Sequence, residues 1–157
     1  MNRMAITQSG LPRPVVRAVE WELRHLGVYR KTVQLLREEL VELRESFGVQ
    51  AGEGPKVQAG LVDRVGRQAV KLVDLEDKLR VYELKLRALE AGVAVLGADE
   101  RALVELRYFH PLEYNHEQTM IHLGWNRNRY YRVRGSAIAK VALVLGLDEG
   151  VEADAGA

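Results

Sequence analysis

The chain contains no cysteine among its 157 residues. That excludes a disulfide scaffold, a thiolate metal centre and a cysteine nucleophile. Long hydrophobic runs are missing as well: nowhere do about 18 apolar residues follow one another, as a membrane-crossing helix requires. The stretch Met1 to Gly10 has neither the basic flank nor the unbroken apolar core of a signal peptide, so the protein is expected to be neither secreted nor membrane-spanning. An excess of one charge is absent too. The formal net charge is +1, and such a balance by itself says nothing about a polyanionic partner.

The residue clusters that support catalysis are also lacking. His110, His116 and His122 recur at steps of six, which match no ligand spacing on a helix, and no thiol or nearby acid completes a set. Glu100 with Glu105, and Glu113 with Glu117, read as single acids on solvated faces and not as a positioned acid and base. Gly52-Glu53-Gly54 has no preceding strand and no following Lys-Ser/Thr, so it is not a phosphate loop. The sequence predicts no enzyme, no bound metal and no cofactor.

What is present is helical patterning. Apolar residues make up 47% and charged residues 29%, the balance of a folded helical or coiled-coil protein. Pro12 and Pro14 mark a helix start. After them Leu26, Tyr29, Val33, Leu36, Leu40, Leu43 and Phe47 alternate steps of three and four, which predicts one amphipathic helix from about Val15 to Phe47. Gly52, Gly54 and Pro55 break the pattern and predict a loop over 48–60. The period then returns: Val65, Leu72, Leu79, Leu86 and Val93 fall seven apart, with Leu75, Tyr82, Leu89 and Leu96 on the adjoining seam. From Val65 to Leu96 such a helix spans roughly 48 Å. Its seam must be covered either by the first helix folding back or by a second chain. Gly66 and Gly92 lie inside it, each costing about 1 kcal/mol relative to alanine, as close approaches or weak points.

From Asp99 the elements shorten. Helices are predicted over Asp99 to Phe109, Asn115 to His122 and Arg127 to about Leu145, separated by Pro111 and by a turn at Leu123-Gly124-Trp125. The expected fold is therefore all-α. A long N-terminal helical hairpin or coiled coil occupies 12–97, with the Gly/Pro loop at 48–60. A compact three-helix domain of helix-turn-helix type follows at 98–147, and an acidic tail at 148–157.

Charge is unevenly placed along this last domain. Between Trp125 and Lys140 there are five basic residues and no acid, whereas Asp148 to Ala157 holds four acids and no base. Asn115 is suited to cap the first helix of the motif, Gly124 to take the turn, and Asn126 to cap the second helix. Tyr130, Val133, Ala137, Ile138 and Val141 trace a buried face. Arg127, Asn128, Tyr131, Arg132 and Arg134 are expected on the open side. Arg pairs bidentately with guanine and Asn with adenine in the major groove, so Arg127 and Asn128 are the first choices for base contacts. Arg129, Arg132 and Arg134 are assigned mainly to phosphates, with Arg132 and Tyr131 suited to either role. Trp21 and Trp125 read as packing anchors, and Tyr108 and Phe109 as core.

The runs ERALVELRYF (Glu100 to Phe109) and HLGWNRNRYYRVRGSAIAKVALVLGL (His122 to Leu147) resemble the sigma-factor region 4 type of helix-turn-helix. More closely they resemble the ArpU and RinA families of phage late-gene transcriptional regulators. The resemblance rests on Leu106-Arg107-Tyr108-Phe109, Tyr130-Tyr131-Arg132 and Val144-Leu145-Gly146-Leu147, within about fifty C-terminal residues. Thr119-Met120 replaces the usual apolar-then-alanine pair. The resemblance implies sequence-specific binding of double-stranded DNA near a prophage promoter and activation of late packaging or lysis genes in the cytoplasm of a bacterial host. A homodimer formed through the heptad helices is expected, with bacterial RNA polymerase as a further partner. Two alternatives stand beside it: a ring-forming DNA-packaging adaptor like a small terminase, and a region-4-like module that grips polymerase instead of DNA.

Overall fold

The computed structural model describes residues 10–50 and 58–148, and its regular structure is all-α. In chain order the helices are α1 (Arg13–Arg24), α2 (Leu26–Gln50), α3 (Gln58–Ala94), α4 (Ala98–Val104), α5 (His116–Leu123) and α6 (Arg127–Leu145), with a π-helical turn at Glu105–Phe109 after α4. Of the Gly/Pro loop expected over 48–60, residues 48–50 end α2 and 58–60 begin α3, which corrects its bounds, while 51–57 and the acidic tail beyond Asp148 lie outside the described residues.

The single N-terminal helix expected from Val15 to Phe47 is interrupted at His25. Its Nδ1 lies 2.6 Å from the Trp21 carbonyl oxygen, which also receives the His25 amide, and its ring stacks on Trp21 with centroids 3.7 Å apart. A side chain bonded to the preceding turn's carbonyl disturbs the regular ladder, a recognised cause of helix breaks. Trp21 is 51% exposed and serves as a platform for His25, so its expected role as a packing anchor is corrected.

The chain divides into two compact units, and the boundary is not the one expected between 97 and 98. One unit is Val28–Leu86; the other combines residues 10–27 with residues 87–148. The physical reason is the apolar spacing of α1: Val16, Val19 and Leu23 make a buried stripe, and α1 packs on α6 and on the π-helical turn. It therefore belongs with the C-terminal helices.

In the unit Val28–Leu86, α2 and α3 run antiparallel. Val33, Leu36 and Leu40 pack against Leu75 and Leu79, with Leu43, Leu72, Tyr82 and Leu86 at the margin. Arg37 pairs with Glu83 at 3.0 Å and Arg44 with Glu76 at 3.0 Å, so advancing seven residues along α2 means retreating seven along α3. The heptad seam is thus covered within one chain over this stretch. Both ion pairs are exposed and contribute at most about 1 kcal/mol each, so register is set chiefly by the leucines.

In the other unit, α6 packs on α4 and α1, and Leu103, Val104, Tyr130, Ala137, Ile138, Val141 and Ala142 are buried. Gly92, on the part of α3 that belongs here, is a close approach: a Cβ placed on it would meet Val141 Cγ1 at 3.4 Å and the Val141 Cα at 3.6 Å. Gly66 faces open space instead.

Candidate nucleic-acid interface

The bend between α5 and α6 is fixed by its own backbone. Asn115 begins α5 with a reciprocal cap, its Oδ1 accepting from the Gln118 amide at 2.8 Å while Gln118 Oε1 accepts from the Asn115 amide at 3.0 Å. At the other end Gly124 has φ +68°, its amide donates to the Ile121 carbonyl, and the Trp125 amide donates to that of Met120. This glycine-terminated arrangement satisfies carbonyls that the helix end leaves unpaired, and only glycine takes such an angle without strain. Asn126 then caps α6, its Oδ1 accepting from the Arg129 amide at 2.8 Å. Three caps expected from Asn115, Gly124 and Asn126 are all formed.

The Thr119-Met120 pair also has a local explanation. Thr119 is fully buried, and its hydroxyl donates to the Asn115 carbonyl at 2.7 Å, so the polar atom is satisfied inside α5.

Among the residues expected to bind DNA, Arg127, Asn128, Arg129 and Arg132 are exposed at and after the N-terminus of α6, and Tyr131 is half-buried. Arg127 lies over the Tyr131 ring at 5.5 Å, and neither Arg127 nor Arg132 has an ion-pair partner among the described residues. Arg129 is held from both sides, pairing with Asp99 at 3.0 Å and lying 4.7 Å over the Trp125 ring.

Arg134 is a correction. Its side chain is 17% exposed and forms an ion pair with Glu20 of α1, itself 12% exposed. Tyr108 donates to the same carboxylate oxygen at 3.1 Å, and Arg24 lies 3.7 Å from the other oxygen. Burial opposes the charge on Arg134, but Tyr108, Glu20 and their hydrogen bonds outweigh it and raise its pKa. Helical spacing explains the inward position: Arg134 follows buried Tyr130 by four residues and precedes buried Ala137 and Ile138 by three and four.

Three of the five bases between Trp125 and Lys140 thus meet acids from elsewhere in the fold. Arg129 meets Asp99, Arg134 meets Glu20, and Lys140 meets Glu100 at 2.6 Å. The sequence run free of acids is largely neutralised in space, and its unpaired positive charge contracts to Arg127 and Arg132. Sequence reasoning missed Glu20 altogether, and its reading of Glu100 as a single acid on a solvated face is corrected: the side chain is 13% exposed and held by Lys140.

Beneath this surface lies a packed aromatic layer. The hydroxyl of Tyr130 and Nδ1 of His116 are hydrogen-bonded at 2.6 Å, and the His116 ring also packs on Tyr131. Burial, reinforced by Arg107 and Arg134, lowers the His116 pKa to about 4, so the imidazole is neutral at pH 7. Burial raises the Tyr130 hydroxyl to about 12, and burial together with the Glu20 charge raises Tyr108 to about 12. His110 and His122 stack on either side of Tyr114, with ring centroids 4.7 and 5.6 Å away. The histidines have packing partners, and no group of three or more metal-ligating side chains forms among the described residues. Nor is any helix there long and apolar enough to cross a membrane.

No protein-family model, curated protein or solved structure matches the chain.

Proposed function

We propose that the unit built from residues 10–27 and 87–148 is the DNA-binding module of a transcriptional regulator, with the N-terminal half of α6 entering the major groove of double-stranded DNA. The observation that carries this reading is the conjunction of a capped, glycine-terminated bend with an exposed helix start bearing Arg127, Asn128 and Arg132. Arg127 and Asn128 read base edges, Arg132 holds a phosphate or reads a base, and Arg129 adds a phosphate contact from its stacked position on Trp125. Tyr131 supports Arg127 from below. The finer assignment, activation of phage late packaging or lysis genes in the cytoplasm of a bacterial host, rests on the resemblance to the ArpU and RinA families.

Fragments of the source genome bound by the full chain, selected and sequenced, give the site and its symmetry together. On the selected duplex, R127A or R132A costs about 1–3 kcal/mol of binding free energy, and loss of a phosphate contact lowers the salt slope by about one. Salt-independent binding, or none at low ionic strength, overturns the reading.

The alternative of a region-4-like module that grips polymerase rests on the resemblance alone, since a single exposed apolar side chain such as Ile121, 80% exposed, points to no partner. Charge reversal at Arg127 and Arg132 that leaves promoter activation intact supports polymerase in place of DNA.

A further inference from the structure

The part of α3 within the unit Val28–Leu86 carries a second apolar stripe, on the side away from α2. Val62, Val73 and Leu84 recur eleven residues apart, and each is more than half exposed, at 70%, 53% and 57%. Gly66 and Ala69, also exposed, fill the same line between Val62 and Val73, while Val70 and Val81 flank it. Eleven residues are close to three helical turns, so the row drifts by only about 20° per repeat and stays on one side of the helix over roughly 33 Å. Leu75 and Leu79, which meet α2, point the other way. An isolated helix pair has no use for so long an exposed row.

The only charges on the line between Val73 and Leu84 are Asp77 and Arg80. Both are exposed, and neither has an ion-pair partner among the described residues. The order Val73, Asp77, Arg80, Leu84 has matching spacings read in either direction. About a two-fold axis between residues 78 and 79, an antiparallel copy sets Val73 against the partner's Leu84 and Asp77 against the partner's Arg80, each pairing occurring twice. A parallel copy sets Asp77 against the partner's Asp77 and Arg80 against the partner's Arg80. Charge complementarity therefore selects both the occupant and its direction.

We infer that this face of α3 is a self-complementary dimer surface that pairs antiparallel with the same face of a second copy. The pairing sets Val73 and Leu84 of each chain on the partner's Leu84 and Val73 and matches two pairs of opposite charges between them. It deepens the expectation of a homodimer by naming the surface: the outer stripe, and not the heptad seam already closed by α2. It does not depend on DNA binding.

The test is the mass of the full chain in solution without DNA, measured by sedimentation equilibrium across concentration. The expected state is a dimer. L84E and V73E each weaken it by about 100-fold or more, because every dimer carries the change twice, with helicity by circular dichroism unchanged. D77R and R80D each weaken the dimer, and the double variant D77R/R80D restores it, since opposite charges again meet. Direction is read by crosslinking, which the absence of native cysteine makes clean. V73C mixed with L84C oxidises to a covalent dimer, whereas V73C alone does not, its two copies lying about 16 Å apart along the helix, beyond disulfide reach. A monomer at all concentrations, a larger ring, a dimer unaffected by L84E, or efficient crosslinking of V73C with itself each overturns the inference. DNA binding retained by a monomeric L84E chain leaves the proposed DNA contacts standing, so the two readings fail separately.

Discussion

Glu20 offers the sharpest test of how the C-terminal helices are held. Its carboxylate receives Arg134 and Tyr108 on one oxygen, with Arg24 near the other, and both Glu20 and Arg134 are largely shielded from water. E20A leaves a buried guanidinium without its counter-charge and a buried phenol without its acceptor. Removing one partner of a buried pair costs about 3–5 kcal/mol, and an orphaned hydroxyl about 1–3 kcal/mol, the two overlapping because they share one site. A loss of about 4 kcal/mol is a large part of the roughly 5–15 kcal/mol that stabilises a folded chain, and lowers the thermal midpoint by on the order of 10 °C. The assay is urea unfolding followed by circular dichroism, with E20A, R134M and E20L/R134M compared. The double variant recovers the part of the loss that comes from the unpaired charge, whereas the Tyr108 hydroxyl stays without its acceptor. An E20A variant within about 1 kcal/mol of the parent refutes both the buried pair and the removal of Arg134 from the DNA-facing set.

The remaining predictions concern charge, protons and glycines. R129A weakens DNA binding less than R132A, because Arg129 is already engaged by Asp99 and Trp125; affinities at one salt concentration decide it. His116 titrates near 4 when folded and near 6.5 when unfolded, so between those values the unfolded state binds more protons. Its contribution to stability is complete above about pH 6.5 and is lost as pH falls through 4, and H116Q flattens that part of the midpoint-against-pH curve relative to the parent. G66A stabilises by up to about 1 kcal/mol, since its Cβ meets open space; G92A fits in ordinary contact with Val141, whereas G92L collides and destabilises by about 1–3 kcal/mol. G124A forces a Cβ into the left-handed region and costs about 1–2 kcal/mol, read by urea unfolding.

Local signals in the sequence located most helices and every cap of the C-terminal motif. Asn115, Gly124 and Asn126 act through bonds to residues within five positions, so their roles are legible from spacing alone. The leucine seam was legible for the same reason, although whether α2 or another chain closes it depends on a chain reversal that periodicity does not encode. His25 was missed because its break comes from a ring stacked on Trp21 and bonded to a carbonyl, with no proline or glycine to announce it. Arg134 was misplaced for a different reason. Its register with Tyr130 and Ala137 already put it on the buried stripe, but an arginine there reads as exposed until its counter-charge is known, and Glu20 lies 114 residues away in sequence.

The loss of Arg134 from the open face changes what one copy can do. A helix whose unpaired cations are Arg127 and Arg132 neutralises few phosphates, and phosphate neutralisation supplies essentially all of non-specific DNA affinity and a large share of specific affinity. Asn128 adds discrimination between bases but no charge. Sequence-specific binding at physiological salt therefore requires either further cations from outside α6 or a second copy of α6 on the same duplex. Arg13, Arg17 and Arg101, exposed within the same unit, are sources of the first kind. The antiparallel stripe on α3 supplies the second, and two linked copies gain affinity by effective concentration without any added contact.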